Sequence, residues 1–553
     1  MLPRLLTLCF ALVSFASSAT TNTLTIIPEL SNGFVRNYNP FRADTLATTR
    51  DFIFEPLMVF EEGVAHFRLA KSYTLSPDLK GILLSLRDDI KWSDGTPFSA
   101  DDVVYSLSLL KDEPELDYNS LGYWMEHIEK RGENEVYVSL SHPNAQIAHR
   151  LQEAIIVPMH QWQDISDKRF FLNAHPVGTG PFTDIKAFSS NNIVQCRNPN
   201  YWQQDKLKVD CIRYPQVKSN DELISRLSNG EFDWASAFIP DIERNYASYS
   251  RDYHYHHKPS TIVSLMFNFK HPNEELRKVI QDVRFRRAMS MSLARDLLIS
   301  VAVFGQGEKA VFASGMASTF EDWIPNSAAE QHLYYIRFHP KAASRLLDEL
   351  GLVDIDGDRF RELPSGEPLT LRIIAPNGWS DFISASNVAA EMFAAVGLRV
   401  KTEVLPFPEY EARMANANYD LSITNYFTGL TPFRYFNSAF NSAYQTPTSP
   451  RFAQHYFKDE KVDDLLDDFL LQTDQQKQRD IVSQLHLRIS ENQVTVPLYY
   501  KLETVEFTTT RYKGWRRHED GTPNVPPIWY TERPRLIQLL ELEPVEESPK
   551  NTP

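Results

Sequence analysis

A β-loop-α-β unit near the middle of the chain limits the folds open to it. Leu369-Thr370-Leu371-Arg372-Ile373-Ile374-Ala375 reads as a buried strand, and the run from Ile383 through Asn387, Ala390, Glu391 and Phe393 reads as a helix closed at Gly397. A second strand follows over Leu398 to Val404. Such units place ligands in the crevice outside the carboxyl end of the first strand. The loop at that end is Asn377-Gly378-Trp379-Ser380-Asp381-Phe382, which offers one large ring and one carboxylate to a cleft. The competing reading of Trp379 is a packing tryptophan that fixes the loop. A comparable strand, Asp420 to Thr424, runs into Asn425-Tyr426-Phe427, so two polar-aromatic strand ends can meet at one crevice.

One hydrophobic core does not organise 553 residues, so several domains are expected. With 42% hydrophobic and 23% charged residues the chain has enough to bury and is not compositionally disordered. Its net charge of −15 argues against a nucleic-acid partner, whose phosphates require a basic surface. The basic start Met1-Leu2-Pro3-Arg4, the apolar run from Leu5 to Phe15 and the small residues Ala16 to Ala19 predict a signal peptide over residues 1–19. No later window offers the apolar length of a membrane-spanning helix, so the mature protein is expected in solution in the periplasm. Cleavage leaves only Cys196 and Cys211, which in an oxidising compartment suggest one disulfide, a two-thiolate metal site being the rival.

Other segments read structurally. Ser99 is an N-cap with Asp101 and Asp102 in the first helical turn, where the helix dipole favours carboxylates, so this pair is not taken as a glycosidase dyad. His254, His256 and His257 lack a carboxylate or cysteine at ligand spacing. Asp354-Ile355-Asp356-Gly357-Asp358 echoes a calcium loop, but Glu362 comes too soon for an EF-hand and an Asp-Gly turn is the expectation. Asp459 to Asp474 reads as an acidic amphipathic helix, Pro523 to Pro534 as a rigid loop around Trp529, and Glu541 to Pro553 as a fraying tail. No nucleophile elbow, zinc-protease motif or P-loop is present, and neither a metal nor a cofactor is expected.

The turn and helix around Asp94-Gly95, the connector Pro176 to Phe182, Asn198-Pro199-Asn200-Tyr201-Trp202 and Asp282-Val283-Arg284-Phe285-Arg286-Arg287-Ala288 together resemble hallmarks of the family 5 extracellular solute-binding proteins of ABC importers. Asn39-Pro40, Gln195-Cys196-Arg197 with Val209-Asp210-Cys211, Asn377-Gly378-Trp379, Thr424 to Phe427 and Glu491 to Thr495 are similar to the chitin-oligosaccharide-binding branch known from vibrios. The resemblance implies an α/β two-lobed periplasmic-binding-protein fold. It divides the chain into a first-lobe main subdomain (20–62, 186–268 and 506–553), a second subdomain (63–185) and a second lobe (269–505). It also implies ligand contacts from Trp379, Asp381, Asn425, Phe427, Trp529 and Asn220, with Trp529 facing Trp379 across the cleft. The implied partners are a chitin oligosaccharide such as chitobiose, an ABC permease and a membrane sensor kinase, around a monomeric, non-enzymatic binder. Cellobiose or an oligopeptide is the alternative ligand, and a secreted glycoside hydrolase the alternative class. Residue chemistry agrees, because the apolar face of a pyranose stacks on indole while Asp and Asn serve hydroxyl and acetamido groups. The sequence departs from that branch at Gly429-Leu430-Thr431-Pro432 and Tyr530-Thr531-Glu532, which leaves the sugar open.

Overall fold

The computed structural model describes residues 22–27, 29–42, 44–61, 63–117, 119–426, 431–445, 453–529 and 533–546. The proposed signal peptide, Phe427, Gly429, Leu430 and Tyr530 to Glu532 lie outside the described residues.

Strand β1 (Thr23–Thr25) is followed by a hairpin of β2 (Met58–Glu61) and β3 (Val64–Phe67). Next come β4 (Ala70–Leu75), β5 (Gly81–Leu86), β6 (Met125–Gly132) and β7 (Glu135–Leu140), an antiparallel sheet in the order β4-β5-β7-β6. In β7 the side chains Val136, Val138 and Leu140 are buried in alternation with Glu135, Tyr137 and Ser139, the period-two pattern of a half-covered sheet. The helix Ala100–Asp112 packs on this sheet. Its capping box is closed by the Ser99 N–H donating to Asp102 Oδ2 at 2.9 Å, and the Met159 N–H donates to Asp102 Oδ1 at 2.9 Å. Ser99 is therefore the N-cap that the sequence implied, Asp102 completes its capping box from the first turn, and Asp101 pairs with Lys130 at the surface.

A second sheet, ordered β1-β10-β9-β8, contains β8 (Phe182–Ser189), β9 (Asn192–Arg197) and β10 (Cys211–Pro215). Cys196 and Cys211 are direct partners in the antiparallel β9–β10 register and form the expected disulfide.

The third sheet joins the molecule. It contains β11 (Trp234–Ala235), β12 (Tyr253–Phe267), β13 (Gly307–Glu308), β14 (Thr370–Pro376), β15 (Arg399–Leu405), β16 (Leu421–Asn425) and β17 (Thr495–Thr508). Its main order is β11-β17-β12-β16-β14-β15. The long antiparallel strands β12 and β17 pair from Tyr253↔Thr508 to Met266↔Thr495, with irregularities between Pro259 and Ile262 and between Val263 and Ser264. One end of this ribbon meets β11, and the other meets β16 and the parallel strands β14 and β15. A bulge bends and twists a two-stranded ribbon locally, so the ribbon is bent along this stretch.

The acidic segment from Asp459 to Asp474 is shorter as a helix than expected. It is helical over Glu460–Leu470, and Asp474 instead caps the next helix, Gln475–Asn492, accepting from the Lys477 N–H at 3.0 Å. The tail expectation also needs correction at its start. Glu541 closes the helix Arg535–Glu541, and β19 (Glu543–Pro544) pairs with β18 (Tyr512–Lys513). Residues beyond 546 lie outside the described residues.

Candidate functional site

Strands β14 and β16 are parallel, with Ile373 opposite Leu421, so their carboxyl ends open on the same side of the sheet. After β14, Asn377 donates its N–H to Leu405 O at 2.7 Å and Gly378 turns the chain at φ +86°. A Cβ on Gly378 would stand 3.1 Å from the backbone oxygen of Lys218, so glycine answers both the left-handed turn and a close approach of two chain segments. Trp379 then opens the helix Ser380–Ala394. Its half-buried ring stacks on Phe407 at 5.6 Å and 21° and meets Phe382 edge-on at 5.1 Å. Two rings fix the indole while part of it stays accessible.

Asp381, in the first turn of that helix, is only 3% exposed. Its Oδ2 lies 3.1 Å from Lys501 Nζ on β17, and this ion pair is the contact that oxygen makes among the described residues. Burial pulls the Lys501 ammonium down, but the Asp381 and Glu503 carboxylates more than offset this and hold it above its ordinary value. Lys501 Nζ also lies 5.8 Å from the Phe382 ring centre. The Tyr499 hydroxyl is buried without a hydrogen-bond partner among the described residues, and burial together with the Asp381 charge pushes its pKa well up.

Asn220 begins the helix Asn220–Ser228, capped by Ser219. Its Nδ2 donates to Ser380 Oγ at 3.2 Å, placing the amide beside the Trp379–Asp381 turn. Asn425, exposed at the end of β16, donates through Nδ2 to Thr261 Oγ1 on β12 at 3.1 Å. Thr261 precedes Ile262, which is opposite Tyr500, the residue before Lys501. Asp381 and Asn425 are thus both tied to one short stretch of the β12–β17 ribbon. Trp529 is half-buried. The preceding Ile528 donates its N–H to Ser236 Oγ at 3.0 Å, and its carbonyl accepts from Arg535 Nη1 at 2.7 Å. Arg535 is itself locked by a fully buried bidentate pair with Asp51 at 2.6 and 2.7 Å. Trp379 and Trp529 make no ring contact with each other among the described residues, and Phe427 lies outside them.

Lys501, Tyr499, Thr261 and Ser380 were not singled out from sequence. Lys501 follows the apolar run Val496 to Tyr500 of a strand remote from Asp381, and no spacing signals their meeting. The three histidines of β12 are bonded separately: His254 to Thr509 Oγ1, His256 to Val525 O and His257 to Thr504 Oγ1. The Asp354–Asp358 segment is the expected Asp-Gly turn, with Asp354 Oδ1 accepting from the Gly357 N–H at 2.7 Å. Glu362 nevertheless lies close to this turn. Glu362 folds back so that its carboxylate and those of Asp354, Asp356 and Asp358 lie within 4.8 Å of one another, while its Oε2 accepts from the Ile355 N–H.

Residues 65–447 match the family model described as bacterial extracellular solute-binding proteins, family 5 middle domain. The chain belongs to this family. As a family 5 solute-binding protein it is the ligand-capturing component of an ABC transporter, a class that works in the periplasm or outside the cell. It is 21% identical over 423 residues to the oligopeptide-binding protein AppA of Bacillus subtilis, covering 75% of each chain. A periplasmic oligopeptide-binding protein of Thermotoga maritima, solved with mannohexaose bound, superposes with a TM-score of 0.85 at 23% identity, over 95% of this chain and 99% of that one. AppA of Bacillus subtilis bound to a nonapeptide gives 0.78 at 18% identity, over 95% and 99%. NikZ of Campylobacter jejuni in complex with Ni(L-His) gives 0.77 at 20% identity, over 95% and 100%. At these identities the structural likeness establishes the two-lobed α/β fold. Among the described residues no helix is long and apolar enough to cross a membrane.

Proposed function

We propose that this solute-binding protein captures β-linked N-acetylglucosamine oligosaccharides, chitobiose among them, in the cleft at the ends of β14 and β16, and hands them to an ABC permease. The observation that carries the reading is the composition of that cleft. An indole braced on Phe407 and Phe382 stands next to a carboxylate that already has a cation, with the Asn220 and Asn425 amides close by. Rings and amides suit pyranose faces, hydroxyls and acetamido groups, and a carboxylate held by Lys501 is a poor anchor for a peptide's amino terminus. Trp529, held by Ser236 and Arg535, is proposed as the ring on the opposing lobe, with Phe427 as a further contact. The lobe limits at 269 and 505 remain part of this proposal, as does a monomeric state. The signal peptide over residues 1–19 and a membrane sensor kinase as second partner are included with them.

A peptide ligand is the second reading, favoured by the name of the relative AppA and by the nonapeptide in its structure. Sugar binding also occurs on this fold, as the mannohexaose complex from Thermotoga maritima illustrates. A thermal-shift panel of chitobiose, cellobiose and tripeptides separates the readings, since a ligand that binds only the native state raises the melting temperature by mass action. Chitobiose is expected to give the largest rise. A rise with tripeptides alone would replace the sugar reading with the peptide one. Chromatography of the chitobiose after incubation is expected to recover it uncleaved, and released monosaccharide would place the protein among the hydrolases.

A further inference from the structure

The Asp381–Lys501 pair has a consequence for which ligands the cleft admits. Asp381 is buried and its Oδ2 lies 3.1 Å from Lys501 Nζ, whose side chain is 28% exposed, so the ammonium is the accessible member of the pair. Any ligand group that approaches this carboxylate comes close to the lysine. Two nitrogens sharing one carboxylate oxygen at hydrogen-bond distances stand within roughly 6 Å of each other, near enough for like charges to repel strongly in a partly desolvated cleft. A hydroxyl or amide N–H carries no such penalty. The lysine also cannot easily withdraw. Its backbone is paired with Gly307 of β13 on one side and lies next to the β12 irregularity between Pro259 and Ile262 on the other, and its ammonium stands 5.8 Å from the Phe382 ring centre.

We propose that Lys501 is a specificity-determining positioning residue. By pairing with Asp381 it offsets the charge of that buried carboxylate and presents its own ammonium, beside Glu503, to the ligand, so that uncharged hydroxyl and amide donors are admitted and ammonium groups are turned away. This rests on the reading of Asp381 as a ligand-contacting group. Lys501 acts through Asp381 and through repulsion, and needs no direct bond to the ligand.

The test is a ratio of affinities for two sugars of matched size, chitobiose and its fully de-N-acetylated form, measured by calorimetry at mildly acidic pH where the amines are protonated. Wild type is expected to prefer chitobiose by about tenfold or more, Lys501→Met to lower that ratio by about tenfold, and Lys501→Arg to keep it within about threefold. A purely structural lysine would weaken both sugars together and leave the ratio unchanged, which would overturn the proposal, as would a wild-type preference for the diammonium sugar. Because Lys501→Met leaves a buried carboxylate unpaired and can fail to fold, Asp381→Asn is the companion variant. It leaves Lys501 alone in the cleft and should raise discrimination against the cationic sugar, so an unchanged or relaxed ratio there also counts against the proposal. If wild type binds neither sugar, the chitin reading fails. The role of Lys501 is then decided on one tripeptide in N-acetylated and free-amine forms, where a wild-type preference for the free amine overturns it.

Discussion

At the residue scale Trp379 combines two features: its contacts with Phe407 and Phe382 are those of a core ring, and its half exposure at the end of β14 is what the proposed ligand platform requires. Truncating a central aromatic anchor typically costs about 2 kcal/mol or more of binding, roughly thirtyfold in affinity. Trp379→Ala is therefore expected to weaken chitobiose binding at least that much, with a modest fall in melting temperature from the lost ring contacts. Calorimetry beside a thermal melt checks this, and normal affinity in the folded variant would return Trp379 to a packing role. The same variant at Trp529 tests the proposal that this ring contacts the ligand from the opposing lobe. Trp379 and Asp381 could be read from the sequence because they sit together on one loop after one strand, and Gly378 marked that loop's turn. Lys501 could not, because a lone lysine ending an apolar run carries no sign of the carboxylate it will meet across the fold.

Elements were legible where a short-range period defines them. Leu369 to Ala375 was expected as a strand and β14 runs over Thr370–Pro376. The helix after it closes at Gly397, φ +81°, as the sequence indicated. The β12–β17 ribbon was not legible, since its pairing joins segments far apart and its irregularities depend on where the two strands cross. Helix ends in acidic stretches were also misplaced, because Asp459 and Asp474 are both caps and nothing in composition separates a capping aspartate from one on a solvated face. The disulfide between β9 and β10 is an element-scale device lying outside the cleft. Replacing both Cys196 and Cys211 by serine should lower unfolding free energy by about 3 kcal/mol, the chain-entropy value for a loop of this length. Denaturant unfolding measures this, and chitobiose affinity in the folded variant should stay within about twofold.

Across the whole molecule, several contacts tie distant parts of the chain together. Ala145 donates its N–H to Leu470 O at 2.9 Å, and Glu153 receives Arg533 at 3.2 Å and lies 3.9 Å from Arg434. Two buried histidines add to the acid sensitivity of the molecule. The His455 Nε2–H donates to Ala439 O while Nδ1 accepts from the Phe457 N–H, and His486 is bonded to Ser314 Oγ and Ala328 O. Burial pushes both imidazoles down to about 4. Between that value and the ordinary histidine range near 6.5 the unfolded chain binds protons that the native chain refuses, so stability falls as pH drops through this window. Each histidine contributes up to about 3 kcal/mol of that loss by linkage. Melts between pH 7 and 4.5 should show the decline, and His486→Gln should flatten it; an unchanged slope would mean that His486 is protonated in the native state.

The most direct test of a neutral sugar as the ligand is a calorimetric titration of the purified protein with chitobiose at about 50 and about 500 mM salt, since screening weakens contacts between exposed charges and leaves ring stacking and amide hydrogen bonds in place. Saturable binding with an affinity that agrees within about twofold at the two salt concentrations is the predicted result. No binding, or a loss of about tenfold, equivalent to about 1.4 kcal/mol, would contradict it.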